Sequence, residues 1–328
     1  MSANKKVQCQ LCPTECILAE YQVGDCRVRI NKGGELYSLV YGKPCAVHID
    51  PIEKKPFSHI LPATTAFSIA TVGCTLSCKF CQNWQISQAK PENERFYNLP
   101  PERVVAEALR SGCRSIAYTY TEPTVFYEYM YDTSVLALEK GLLNTYITCG
   151  YISQKPLKEL AKVLHGANVD LKGFTEDYYK RICGGKLKPV LDSLVTLKEY
   201  GVWVEVTNLI VPTLNDNTKE ITEMCKWLVK NLGPDTPIHF SRFHPDYKLK
   251  NLPKTPLNTL TRARDIAQDA GLRYVYVGNI GHEGNNTYCY SCSELLIERQ
   301  GYYVMQNHVV GGKCKFCGVN IAGVWDGV

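Results

Sequence analysis

The chain has 328 residues, of which 45% are hydrophobic and 21% charged, and it carries a formal net charge of +5. Those values exclude a disordered or low-complexity polypeptide, and no run approaches the roughly 18 apolar residues that a membrane-spanning helix requires. The opening "MSANKKVQCQLCPTEC" lacks an apolar core of signal-peptide length, so the expected location is the cytoplasm. Disulfides are scarce there, and 16 cysteines point instead to ligation of metal.

In chain order, residues 1–63 hold Cys9, Cys12, Cys16 and Cys26 and then a Lys/Pro-rich stretch, "IDPIEKKPFSHILP", which reads as irregular connector. From 64 to 284, β-branched and aromatic runs alternate with amphipathic segments. The runs "TAFSIATVG", "SIAYTY", "NTYITC", "ANVDLKG", "VWVEVTNLIV", "PIHFSRF" and "RYVYVGN" are predicted strands. Between them lie "PPERVVAEALRSG", "PTVFYEYMYDTSVLALEKG", "KPLKELAKVLHG", "KPVLDSLVTLKEYG", "NTKEITEMCKWLVKNLG" and "TPLNTLTRARDIAQDAG". These are predicted helices, most with proline near the start and glycine at the exit. Residues 285–328 place Cys289, Cys292, Cys314 and Cys317 around a hairpin-like segment, "ELLIERQGYYVMQNHVVGG".

Strand–helix alternation implies right-handed crossovers and a parallel sheet, either doubly wound or a partial or full barrel. Gly73 and Cys74, Thr121 and Glu122, Cys149, Asp170 and Lys172, Pro212 and His244 all fall at or just past the C-terminal end of a predicted strand. That is the face on which β/α barrels place their chemistry.

The loop "GCTLSCKFCQNW" sets Cys74, Cys78 and Cys81 at a C-x3-C-x2-C spacing. A structural zinc wants a closed set of four ligands, and a ferredoxin-type cluster wants four thiolates. Three thiolates on a cubic 4Fe-4S cluster leave one iron open to a small molecule, as a cluster that delivers an electron to its own ligand requires. This spacing, with Phe80 before the last cysteine, resembles the signature of the radical S-adenosylmethionine (SAM) enzymes. The stretches "YTYTEP", "NVDLKGFTEDYYKRICGG", "VEVTNLIVPTLND" and "HFSRFHPDY" are similar to successive strand ends of pyruvate formate-lyase-activating enzymes. Together with "CQLCPTEC", "GHEGNNTYCYSC" and "CKFCGVNIAGVW", the pattern resembles the radical SAM component of the AmmeMemoRadiSam system over almost the whole chain.

The resemblance implies a partial (β/α)6-type barrel of the radical SAM kind and reductive cleavage of SAM to methionine and a 5′-deoxyadenosyl radical. It also implies an electron donor such as flavodoxin or ferredoxin, and a hydrogen-donor substrate that the sequence does not name. Glu122 is expected against the SAM amino group, Asp170 and Lys172 at the strand end facing the SAM carboxylate, His244 against the nucleoside, and Phe80 near adenine. Without the cysteine loop, Glu122 would read as an acid at a helix start and Asp170–Lys172 as an ion pair. Activating enzymes carry Asp-Thr-Asn-Gly where this chain reads "ITCGY", so Ile147 takes the place of an acid and Cys149 that of an asparagine. A thiol there is a candidate hydrogen-atom donor as well as a small packing group.

At the C-terminus, Cys289-x2-Cys292-x21-Cys314-x2-Cys317 pairs two knuckles across a hairpin, a zinc-ribbon arrangement that closes a tetrahedron. Cys9-x2-Cys12-x3-Cys16-x9-Cys26 also supplies four thiols, at a spacing that does not separate zinc from an auxiliary iron-sulfur cluster. Structural zinc is the expectation, because a small appended module needs a staple. A 4Fe-4S cluster on three thiolates contributes about −1 and each of two zincs on four thiolates about −2, so +5 falls to about zero and nucleic acid is not an expected partner.

Two functions compete. One is a radical SAM oxidoreductase, with activation of a glycyl-radical enzyme as one branch; the other is a non-catalytic zinc-ribbon adaptor for protein or nucleic acid. The adaptor leaves the three-thiol loop and the charged strand ends without a purpose.

Overall fold

A computed structural model describes residues 5–278 and 284–326. Its centre is a sheet of β1 (Ala46–Pro51), β2 (Thr65–Ala70), β3 (Ser115–Tyr118), β4 (Leu143–Thr148), β5 (Gly166–Asp170), β6 (Trp203–Ile210), β7 (Ile238–Arg242) and β8 (Val275–Gly278). Neighbours in this sheet are neighbours in sequence, from β1 at one edge to β8 at the other. β1 runs antiparallel to β2, and every later pairing is parallel.

The crossovers from β2 onward carry α1 (Pro101–Arg110), α2 (Tyr127–Glu139), α3 (Gln154–Ala161), α4 (Leu187–Glu199), α5 (Thr218–Leu232) and α6 (Leu257–Asp269). Right-handed crossovers in an unreversed strand order place all these helices on one face and curl the sheet about the other. A doubly wound sheet needs a reversal of strand order, so the barrel alternative holds. Among the described residues no ladder joins β8 to β1, and the barrel is partial.

The local sequence explains the elements. Strand β3 is buried along its whole length, as befits a parallel strand covered on both faces. In α5, Asn217 caps the first turn by accepting from the amides of Lys219 and Glu220 at 2.9 and 3.4 Å. Ile221, Met224, Cys225, Leu228 and Leu232 then recur at helical spacing and bury one stripe against the sheet. Truncating the fully buried Leu228 to alanine would cost about 2–5 kcal/mol.

The stretch expected to be irregular connector is partly sheet and wholly integrated. Residues 46–51 form β1, whose register runs from Ala46 opposite Ala70 to Pro51 opposite Thr65, so a boundary at 63/64 would divide a hairpin of the central sheet. Ile52, Phe57, Ile60 and Leu61 then pack with Ala66, Ala117 and Leu143 to plug the N-terminal end of the barrel. Lysine and proline enrichment suggested a solvated link, but Lys55 itself is only 2% exposed.

The C-terminal segment forms an antiparallel sheet of Thr287–Tyr288, Leu295–Gln300 and Tyr303–Asn307, matching the expected hairpin. It spans the seam between the two edges of the partial barrel. On the β1 side, Leu61 and Val324 exchange backbone contact at 2.8 Å; on the β8 side, the Tyr276 hydroxyl meets the Thr287 hydroxyl at 2.8 Å. The residues Gly281 to Glu283 of "GHEGNNTYCYSC" lie outside the described residues.

Candidate active site

The three-cysteine loop leaves the C-terminal end of β2 and is pinned by backbone on both sides. The amides of Ser77 and Lys79 donate to the carbonyls of Cys183 and Ile182 at 2.9 and 3.0 Å, and the Lys248 amide donates to the Lys79 carbonyl at 3.0 Å. Asn83 donates to the Tyr120 carbonyl at 2.7 Å, and Trp84 stacks on Tyr247 with centroids 5.3 Å apart. Gly73 opens the loop at φ +99, where a Cβ would stand 2.6 Å from the Cys26 carbonyl oxygen. Only glycine fits that approach.

Contact with Cys183 and burial push the Cys78 thiol well above its ordinary pKa, and burial raises Cys81 as well. These thiols hold their protons until a metal displaces them.

Cys74, Cys78 and Cys81 face a cavity of about 620 Å³. Its walls are the C-terminal ends of successive strands, and they bring together Phe80, Glu122, Cys149, Asp170 and Lys172. The Lys172 ammonium lies 2.8 Å from Asp170 and 5.7 Å from the centre of the Phe80 ring. Burial would discharge this lysine, but Asp170 beside it outweighs that and holds its pKa above the usual range.

Glu122 is 2% exposed and saturated on one oxygen. Its Oε1 accepts from the Thr124 amide and hydroxyl, Thr148 and Tyr146, at 2.5 to 3.3 Å. Among the described residues its Oε2 accepts only from the Cys149 amide, at 2.7 Å, and so keeps a lone pair for another donor. The Cys149 thiol lies 3.6 Å from the Thr75 hydroxyl, and burial raises its pKa so that it stays S–H.

His244 is the expected site residue that does not join this group. It is exposed and absent from the cavity walls, because the chain turns at the fully buried Phe243 and carries the next side chain outward. Phe240 and Ser241 supply the β7 wall instead.

Residues 68–228 match the family model of the Radical SAM superfamily. The chain carries a Radical SAM superfamily domain. It is 48% identical over 324 residues to the uncharacterized protein MJ0808 of Methanocaldococcus jannaschii, covering 97% of this chain and 96% of that one. It is 25% identical over 201 residues to the pyruvate formate-lyase-activating enzyme of Clostridium pasteurianum, covering 55% of this chain and 80% of the relative. Among solved structures, a radical SAM methyltransferase from Sphaerobacter thermophilus shares the fold at TM-score 0.54 and 16% identity, over 72% of this chain and 71% of the other.

The cavity has a polar floor that sequence reasoning missed. Asp50 binds Lys55 at 2.5 Å and Lys54 at 2.9 Å, and also accepts from the Tyr120 hydroxyl. Burial alone would raise the Asp50 carboxyl; Lys55, Tyr120 and Lys54 reverse this and hold it well below the carboxylate range. Tyr120 itself sits at φ +61, a strained backbone shared between the cysteine loop above and Asp50 below.

Deeper, Glu205 is fully buried. It accepts from the amides of Ser58 and His59 and from Trp203, and lies 2.6 Å from His239. Arg299, delivered from the C-terminal sheet, donates to the Ser58 carbonyl at 2.7 Å and approaches Glu53 at 4.0 Å. Among the described residues Arg299 Nε and Glu53 Oε2 are buried without a hydrogen-bond partner, and both residues line the cavity. Of this set only the "IDPIEKKP" charges stood out in the sequence, and they read as linker.

The C-terminal quartet does assemble. The sulfurs of Cys289, Cys292, Cys314 and Cys317 all lie within 4.8 Å of one another. A tetrahedral ion with bonds near 2.3 Å sets its thiolates about 3.8 Å apart; the pairs Cys289–Cys317 and Cys292–Cys314 stand at 3.6 and 3.8 Å.

Proposed function

We propose that this protein is a radical SAM enzyme whose Cys74, Cys78 and Cys81 hold a 4Fe-4S cluster with one open iron, and that its substrate is seated in the cavity below. When bound, that cluster and SAM supply one-electron cleavage of the sulfonium to methionine and a 5′-deoxyadenosyl radical, which abstracts hydrogen. The observation that carries the reading is the mouth of the cavity, where a loop of three thiols from one strand end faces Lys172, Asp170, Phe80 and Glu122 from others.

The chain's own groups have distinct tasks in this reading. Lys172 offers a buried positive charge to a carboxylate, and the free lone pair of Glu122 Oε2 offers an acceptor to an ammonium group. The buried walls exclude water from a reactive intermediate. Cys149 is kept as a thiol beside the loop, packed 3.6 Å from the Thr75 hydroxyl. Arg299 and Glu53 offer one donor and one acceptor to a polar substrate. Similarity to a pyruvate formate-lyase-activating enzyme favours a backbone glycine as hydrogen donor, and a flavodoxin- or ferredoxin-class protein as reductant. The C-terminal quartet is proposed as a zinc site that fixes the sheet bearing Arg299. A zinc adaptor alone would account for that quartet but not for the cavity.

The test is anaerobic. Reduced, iron-reconstituted protein given SAM should release 5′-deoxyadenosine, and Cys78→Ala should abolish release while zinc content is unchanged. A mutant that still cleaves SAM would remove the loop from the chemistry.

A further inference from the structure

The three cysteine groups fall into two geometric classes. The C-terminal sulfurs are drawn together within 4.8 Å, whereas among the described residues neither Cys74, Cys78 and Cys81 nor any three of Cys9, Cys12, Cys16 and Cys26 come so close. A single ion must collapse its thiolates to about 3.8 Å. A cubic cluster bonds each thiolate to a different corner iron, so its ligands stand apart by the width of the cube. Among the described residues, the N-terminal quartet is therefore not gathered at the spacing of a single ion, unlike the ribbon.

What lies between those four sulfurs supports the same class. Cys9, Cys12, Cys16 and Cys26 line a second cavity of about 20 Å³. At zinc spacing the centre lies about 2.3 Å from every sulfur, which leaves no room for even a water molecule. Space for at least one water-sized body, walled in part by Leu18 and Val125, is more than the interstice of a closed zinc tetrahedron offers.

Arg29 lines this cavity too. It is 6% exposed, pairs with Glu128 through its terminal nitrogen, and leaves its Nε buried without an acceptor among the described residues. A cube on four thiolates carries about two negative charges and presents bridging sulfides as acceptors, which suits that unpartnered donor.

We propose that Cys9, Cys12, Cys16 and Cys26 hold a second, fully ligated 4Fe-4S cluster in place of the zinc expected from the need for a staple. The site lies directly behind the three-cysteine loop: Thr75 of that loop is part of its wall, and Cys26 is the residue against which Gly73 packs. The assignment rests on the radical SAM reading only for the identity of the neighbouring cluster.

The test uses full-length protein carrying Cys74→Ala, Cys78→Ala and Cys81→Ala together, isolated without air. About four irons and four sulfides should remain per chain with about one zinc, and the reduced signal in electron paramagnetic resonance should ignore added SAM. Iron near zero with about two zincs overturns the proposal. Should that variant fold poorly, Cys12→Ser in the otherwise natural chain decides: about four irons should be lost while a SAM-responsive signal persists, and unchanged iron overturns the proposal. Failure of the radical SAM reading is separate, since it would show as no SAM cleavage by the natural protein whatever the iron count of either variant.

Discussion

His59 gives the clearest quantitative prediction. Its ring is fully buried at the base of the barrel, with Nδ1 2.7 Å from the Ala322 carbonyl and Nε2 2.7 Å from the Tyr276 hydroxyl. The carbonyl can only accept, so Nδ1 carries the hydrogen and Nε2 accepts from Tyr276: the ring is neutral. Burial holds its pKa down to about 4 from 6.5, against the opposing pull of Glu205. Between those values the unfolded chain binds a proton that the native chain refuses. The stabilisation is therefore complete above 6.5, declines as pH falls through that window, and is gone below about 4. From pH 7 to pH 4 the loss is about 3 kcal/mol. Urea unfolding followed by tryptophan fluorescence measures it, with Trp325 a local reporter 5.3 Å from the ring. Thiol protonation at the metal sites is common to wild type and His59→Gln, so the difference between the two curves isolates this histidine. Wild type should lose about 3 kcal/mol more than the variant. Parallel curves down to pH 4 would refute the argument.

Gly73→Ala must place a methyl group 2.6 Å from backbone at Cys26; the left-handed conformation adds about 1–2 kcal/mol and overpacking about 1–3 kcal/mol, so the urea midpoint should fall and limited proteolysis should cut more readily within residues 5–45. Lys172→Met should raise the KM for SAM about ten- to a hundredfold, read from 5′-deoxyadenosine formation, because a buried charged hydrogen bond is lost. Cys149→Ala should leave iron content and SAM cleavage unchanged; loss of iron would identify it as a fourth ligand and close the open corner. Cys292→Ser should release the C-terminal metal and expose the seam, seen as new protease cleavage between the barrel and residue 326 without loss of iron.

The barrel was legible because its signals are local. Alternation of β-branched runs with proline-opened, glycine-closed helices placed each strand from β2 to β8 within a few residues of its position. The place of the cysteine loop at a strand end was legible because it directly follows the run that forms β2. The floor was not, because Ser58 and Arg299 meet across 241 residues and neither belongs to a periodic pattern. Strand β1 was hidden by its lysines and prolines, whose burial depends on Asp50 and on the barrel that surrounds them. His244 shows the remaining limit. Sequence position places a residue near a strand end, but which side chain turns inward was decided by the packing of Phe243 next to it.

The seam has a consequence for biosynthesis. A ribosome delivers the chain from its first residue onward, so the curved sheet emerges in spatial order while the strip that seals its long side comes last. Until Cys314 and Cys317 have been translated and packed beside Cys289 and Cys292, the sheet bearing Arg299 is incomplete and the flank of the cavity stays uncovered. A nascent chain cut short anywhere in that strip would keep the three-cysteine loop yet lack the Arg299 wall, so the shape of the cavity depends on that strip as much as on the loop.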